Sequence, residues 1–219
     1  MAKIDSLEQL MVEELRDILD AEKQVFKSLP KMAKAADALE LRTLFEEHRQ
    51  QTTDQLERLN RVFGSIGGAP RGKKCKGMQA LIEEGQEMLA EVEAGAARDA
   101  VLIASAQKVE HYEMAAYGTL RTWASRLGSE DVAGLLEETL EQEKKTDARL
   151  TMVAESLANP AAAGEVEVEA DEGAAPRRTR GRKSSSAGPA RRGSSRSRKT
   201  TGAPRKTAGR KRAAGRAGR

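Results

Sequence analysis

Residues 103–120 read Ile103-Ala104-Ser105-Ala106-Gln107-Lys108-Val109-Glu110-His111-Tyr112-Glu113-Met114-Ala115-Ala116-Tyr117-Gly118-Thr119-Leu120. Positions 103, 106, 110, 113, 117 and 120 follow the 3,4 rhythm that lines one face of an α-helix. Ile103, Ala106, Tyr117 and Leu120 suit a core stripe, and Glu110 and Glu113 interrupt it. A helix that packs through this face carries two carboxylates inward. Gly128 follows as the expected C-cap.

The same rhythm extends in both directions. From Ser129 a further helix shows Val132, Leu136, Thr139, Glu143, Thr146, Leu150 and Val153, and Asn159-Pro160 is expected to stop it. Upstream, Leu15, Ile18, Glu22, Val25 and Leu29 mark a helix over about 5–38, opened by Asp5 and Glu8 at capping-box spacing. Pro30 should kink or shorten it. A second capping-box pair, Asp37 and Glu40, opens a helix reaching about Phe63, whose stripe is Leu41, Phe45, His48, Thr52, Gln55 and Leu59 with Gln51 on the flank. Gly64, Gly67, Gly68, Pro70 and Gly72 then break the chain, and a short helix over about 78–90 carries it across. Aromatic residues make up only 3% of the sequence, which argues against a β-sandwich. The expected fold is all-α: a four-helix bundle of the ferritin-like connection type, with a short crossover helix.

Charge divides the chain further. Residues 1–159 hold 21 Lys and Arg against 29 Asp and Glu, residues 160–173 hold five acids and no base, and residues 174–219 hold 17 bases and no acid. This predicts a bundle over 1–159, an acidic linker over 160–173 and a disordered basic tail over 174–219, where Ala, Gly, Pro and Ser leave too little apolar area to offset chain entropy. No apolar run is long enough to span a membrane and the first residues show no leader pattern, so a cytoplasmic protein is expected. The single cysteine, Cys75, excludes an internal disulfide and is read as a solvent-facing bystander among Lys73, Lys74 and Lys76.

Midpoints of the four long helices fall near residues 21, 51, 112 and 143, so an antiparallel bundle brings Glu22, Gln51, Glu110, Glu113 and Glu143 to one height. Burying several like charges costs several kcal/mol per ion, and no Lys or Arg occupies these stripe positions. A bound cation is the simplest compensator. His48 on its own reads as a hydrogen-bonded core histidine, and His111, off the Glu110 stripe, as a helix-contact residue.

Four stretches carry a further reading: Asp20-Ala21-Glu22-Lys23-Gln24, Lys73-Lys74-Cys75-Lys76-Gly77-Met78, Ala106-Gln107-Lys108-Val109-Glu110-His111-Tyr112-Glu113 with Ala116-Tyr117-Gly118-Thr119, and Leu136-Glu137-Glu138-Thr139-Leu140-Glu141-Gln142-Glu143-Lys144. They resemble the YciE/YciF family of bacterial ferritin-like proteins over roughly residues 5–157. The resemblance implies a rubrerythrin-like bundle, a homodimer, a link to stress responses, and an iron or manganese site, mono- or dinuclear, on Glu22, Glu110, Glu113 and Glu143. His48 and Asp147 complete the candidate ligands. The chain departs from the ferritin-like pattern in the second helix, which reads His48-Arg49-Gln50-Gln51-Thr52-Thr53, and in the fourth, which offers Glu143, Thr146 and Asp147 where Glu-x-x-His is usual.

The tail suggests its own partner. Arg177, Arg178, Arg180, Arg182, Lys183, Arg191, Arg192, Arg196, Arg198, Lys199, Arg205, Lys206, Arg210, Lys211 and Arg212 are spaced by small residues with no aromatic among them. Such an arm resembles linker-histone-like tails and is expected to bind nucleic acid without reading sequence, by counterion release. Two functions remain open at this point: a ferritin-like stress protein with a core metal site, tethered to the nucleoid by its tail, and a metal-free dimeric architectural DNA-binding protein. Whether there is an enzymatic activity is left open.

Overall fold

The structure, a computed structural model, describes residues 3–166. The acidic residues from Glu167 onward and the whole basic tail lie outside the described residues. Six α-helices follow in order: α1 (Leu7–Ala35), α2 (Leu39–Ser65), α3 (Lys76–Glu91), α4 (Ala96–Arg126), α5 (Glu130–Val153) and α6 (Asn159–Ala162), with a π-helical turn over Ala154–Ala158. Helices α1, α2, α5 and α4 form the corners of a square bundle in that spatial order, and α3 lies along the outside of α1 and α4. Asp37 meets Gly95 while Asp17 meets Tyr112, so α1 and α4 are antiparallel, and Arg149–Glu47 with Arg58–Glu138 set the same sense for α2 and α5. The chain leaves α2 at one end and enters α4 at the other. Residues 66–95 therefore span the bundle's length, and α3 fills most of that distance.

The ends of the helices differ in detail from their sequence signals. α1 is capped by Ser6, whose hydroxyl accepts from the Gln9 amide at 3.3 Å, so the cap sits one residue beyond Asp5. The helix continues through Pro30 to Ala35. At the start of α2 the Asp37–Glu40 box is not used. Asp99 of α4 accepts from the Asp37 and Ala38 amides at 2.8 Å each, and Asp37 accepts from the Gly95 amide at 2.6 Å. This reciprocal clasp joins the starts of α2 and α4. α4 ends with Gly128 at φ +72° and the Ser129 amide on the Ala124 carbonyl, the predicted glycine stop. Pro160 does not terminate the last helix: it lies in the first turn of α6, where a missing N–H costs nothing.

The crossover is strapped to α1 by the first family-like stretch. Asp20 accepts from the Cys75 amide at 2.9 Å, and Gln24 donates to the Cys75 carbonyl at 3.0 Å. Cys75 is the N-cap of α3, fully buried, its sulfur 3.0 Å from the Tyr112 hydroxyl, which in turn donates to Asp17 at 2.9 Å. The solvent-facing thiol expected from the flanking lysines is thus corrected. Lysine side chains extend to water while the short Cys75 side chain turns inward, and burial together with Asp17 pushes the thiol pKa up. Gly77 explains itself too: a Cβ there would meet the Tyr112 ring at 2.9 Å.

Candidate metal centre

Halfway along the bundle the apolar core gives way to Glu22, His48, Thr52, Gln55, Glu110, Glu113, Thr139, Glu143 and Thr146, all buried. The heptad phase of each helix accounts for this layer, because the polar residues occupy positions between buried Leu, Ile, Val and Phe on the same stripes. His48 from α2, Glu110 and Glu113 from α4 and Glu143 from α5 each present a donor atom, and these four atoms lie within 4.8 Å of one another. Three helices thus converge on one point.

Glu22 stands beside this group on α1. Its Oε1 accepts from the Tyr117 hydroxyl at 2.5 Å, and its Oε2 has no partner. On the α2–α5 side, the Gln55 amide donates to Glu143 at 2.7 Å. Arg58 binds Thr139 at 2.8 Å, Gln142 at 3.1 Å and Glu138 at 3.1 Å, and its charge reaches Glu143 from one helical turn away. Gln51, placed in the layer by the helix midpoints, lies at its border and accepts from Thr146 at 3.3 Å. Gln55 and Arg58 are site groups that the sequence pattern does not mark as such. Gln55 was on the stripe already, whereas the length of Arg58 let it reach inward from the flank.

Asp147 does not join the cluster. It is partly exposed and meets Gln107 at 3.2 Å and His111 at 3.3 Å across the α4–α5 seam. One residue past the Thr146 stripe position, it is not brought among the four clustered donors, although its charge still acts on Glu110. His111 is exposed and serves that seam contact.

The electrostatics of the layer are unbalanced. Burial raises the pKa of Glu22, Glu110 and Glu113 well above the carboxylate range, and their mutual repulsion adds to it. Glu143 is pushed to about 7, held from rising further by a hydrogen bond with Glu110 and by Arg58. Burial drives His48 down to about 4, so its imidazole is neutral and the 3.4 Å approach of Nε2 to Glu110 is not an ion pair. Neither ring nitrogen of His48 makes a well-aligned hydrogen bond, although Glu110 and Gln51 both approach the ring, and Glu110 Oε2, Glu113 Oε1 and Glu143 Oε2 have no partner. Orphaned buried acceptors clustered this tightly are costly in an apolar core. A divalent cation would satisfy them at once, and three carboxylates with one neutral imidazole are the donor set of hard to borderline metals. The residues fit a metal ion.

A family model described as a domain of unknown function, DUF892, matches residues 6–163. The chain belongs to the DUF892 family. Protein YciF of Escherichia coli K12 is 44% identical over 150 residues, which cover 68% of this chain and 90% of that protein. The crystal structure of the E. coli stress protein YciF superposes with a TM-score of 0.69 at 43% identity, covering 71% of this chain and 99% of that one. YcfI from Rhodopseudomonas palustris gives a TM-score of 0.68 at 40% identity, covering 69% of this chain and 97% of its own. The sequence resemblance to the YciF family and the helical bundle are therefore established for this DUF892 chain. Among the described residues no helix is long and apolar enough to cross a membrane.

Proposed function

We propose that this DUF892 protein is a stress-response protein that binds iron or manganese in its bundle core and is tethered to nucleic acid by its basic tail. The observation that carries the metal is the convergence of His48, Glu110, Glu113 and Glu143 with unpartnered donor atoms at their meeting point. When bound, such an ion supplies Lewis acidity and, for iron or manganese, a redox couple. The chain's own groups prepare the place: Tyr117 orients Glu22, Gln55 orients Glu143, and neutral His48 offers a lone pair without competing for a proton. The stress role follows the printed description of the E. coli relative. The tail reading rests on 17 cations and no acid over residues 174–219, against a net −8 over residues 1–159, which DNA should repel.

The test of the metal is elemental analysis of protein purified without chelator and then loaded with Fe(II) or Mn(II). The expected result is about one ion per chain or more. Less than about a tenth of an ion would sink the metal reading and favour a metal-free, dimeric architectural protein. That second reading draws on Gln55, a neutral residue that donates to Glu143, and on the raised pKa of the buried carboxylates, which protons alone can neutralise. The tail has a separate test. The full chain should bind unrelated duplexes equally, with affinity falling steeply from low to physiological salt, and a chain ending at Asn159 should lose DNA while keeping helicity and metal. DNA retardation by the shortened chain would assign binding to the bundle instead.

A further inference from the structure

Two cavities adjoin where α3 lies against the bundle. The outer one, about 80 Å³, runs between α1, α3 and α4, with Leu81, Ile82, Leu89 and Met32 along its walls and exposed Lys31 and Gln86 at its mouth. The inner one, about 10 Å³, is bounded by Val25, Leu29, Phe45 and Leu150 and ends on His48 and Glu110. Ser28, Met32 and Val109 line both. Those three side chains are therefore the partition between a surface opening and the candidate metal centre.

The partition is chemically selective. Ser28 turns its hydroxyl to the Val25 carbonyl at 2.9 Å, which leaves its methylene to the cavity. Met32 and Val109 offer no strong hydrogen-bonding group, and the unbranched, half-buried Met32 can change rotamer with little disturbance of its neighbours. The inner space accommodates about one water-sized molecule. A hydrated ion would have to shed its shell against walls that are mostly apolar, where Ser105 and Gln86 in the outer cavity and Thr146 in the inner one are too few to replace it. The outer cavity is also not the result of a loosely lying helix: at Gly85 of α3 an added Cβ would meet Ser105 Oγ at 3.0 Å, so α3 is seated closely on α4.

We infer that the two cavities form one passage, gated by Met32, through which a small, uncharged, weakly polar molecule of dioxygen size reaches the His48–Glu110 edge of the centre. The inference rests on the metal reading above, and two probes separate them. Xenon is the first, applied under pressure to crystals of the unaltered chain: it should occupy the outer cavity beside Met32 and Val109, and Met32→Trp should displace it. Nitric oxide is the second, mixed with Fe(II)-loaded protein and followed by its absorption on binding iron. Met32→Trp should slow its association at least tenfold while iron content, helicity and melting stay as in the parent. Absence of xenon from the unaltered chain would overturn the passage, and so would an unchanged nitric oxide rate in the variant. A chain that took up no iron would defeat the metal reading alone, and the xenon result would still decide whether the cavity admits such a molecule.

Discussion

Asp99 and Glu110 lie on the same helix and are both buried, at 4% and 2% exposure, yet their surroundings treat them in opposite ways. Asp99 spends both oxygens on backbone amides at the start of α2, each at 2.8 Å. Glu110 leaves Oε2 with no partner and faces Glu143, Glu22 and an imidazole that burial keeps neutral. The first carboxylate is complete within the chain and holds two helix ends together. The second belongs to a group that the chain alone does not satisfy. Burial of an acid thus marks a binding site only where its hydrogen bonds are left open.

Removing the open carboxylates should produce the largest contrast. The double substitution Glu110→Gln with Glu113→Gln is expected to abolish metal uptake while the apo bundle stays as stable or gains about 1–2 kcal/mol, because repulsion and desolvation are relieved. Urea denaturation beside metal analysis checks this, and retained metal would place the site elsewhere. Asp99→Ala should behave in the reverse manner, with metal content unchanged and stability lower by about 2–3 kcal/mol as one buried and one part-buried amide lose a carboxylate acceptor. A loss below about 1 kcal/mol would show that the clasp is dispensable.

The contrast has a pH signature in the apo protein. Glu143, at about 7 against an ordinary 4.5, binds more protons folded than unfolded, so stability falls as pH rises across that interval. Glu22, Glu110 and Glu113 are raised and act in the same direction. His48, at about 4 against 6.5, acts oppositely, adding stability as pH rises until 6.5 and nothing beyond. Above pH 6.5 the imidazole adds nothing further while Glu143 continues to ionise through about 7, so the apo melting temperature should drop between pH 6.5 and 8.5 by about 2 °C or more. Metal should stabilise most at the upper end, where the donors are deprotonated. Scanning calorimetry with and without Mn(II) measures both, and a rising apo midpoint over that range would contradict the carboxylate assignment. The smallest effect is expected from Tyr117→Phe, about 1 kcal/mol, since only the bond to Glu22 is lost.

What could be read from the sequence follows the range of each interaction. Glu22, Glu110, Glu113 and Glu143 were legible because each falls on a heptad stripe among buried aliphatics, and helix midpoints set their common height. Gln55 took the place expected for Gln51 because the midpoint of α2 fixes height only to within a turn, and the stripe, not the flank, faces inward. Asp147 follows the same rule, one residue off the stripe and outside the cluster. The Asp99 clasp and the burial of Cys75 were not legible at all. Each depends on a partner 37 or more residues away, Asp37 and Ala38 for the one and Tyr112 for the other, and local composition points to different caps and to solvent.

The most direct measurement is anomalous diffraction from crystals of the full chain soaked in Mn(II) or Fe(II), recorded on either side of the metal absorption edge. An anomalous peak is expected at mid-bundle, within bonding distance of His48, Glu110, Glu113 and Glu143, and absent from the Glu110→Gln, Glu113→Gln double variant. A peak confined to the surface at His111 and Asp147, or a mid-bundle layer free of anomalous signal after soaking, would contradict the account.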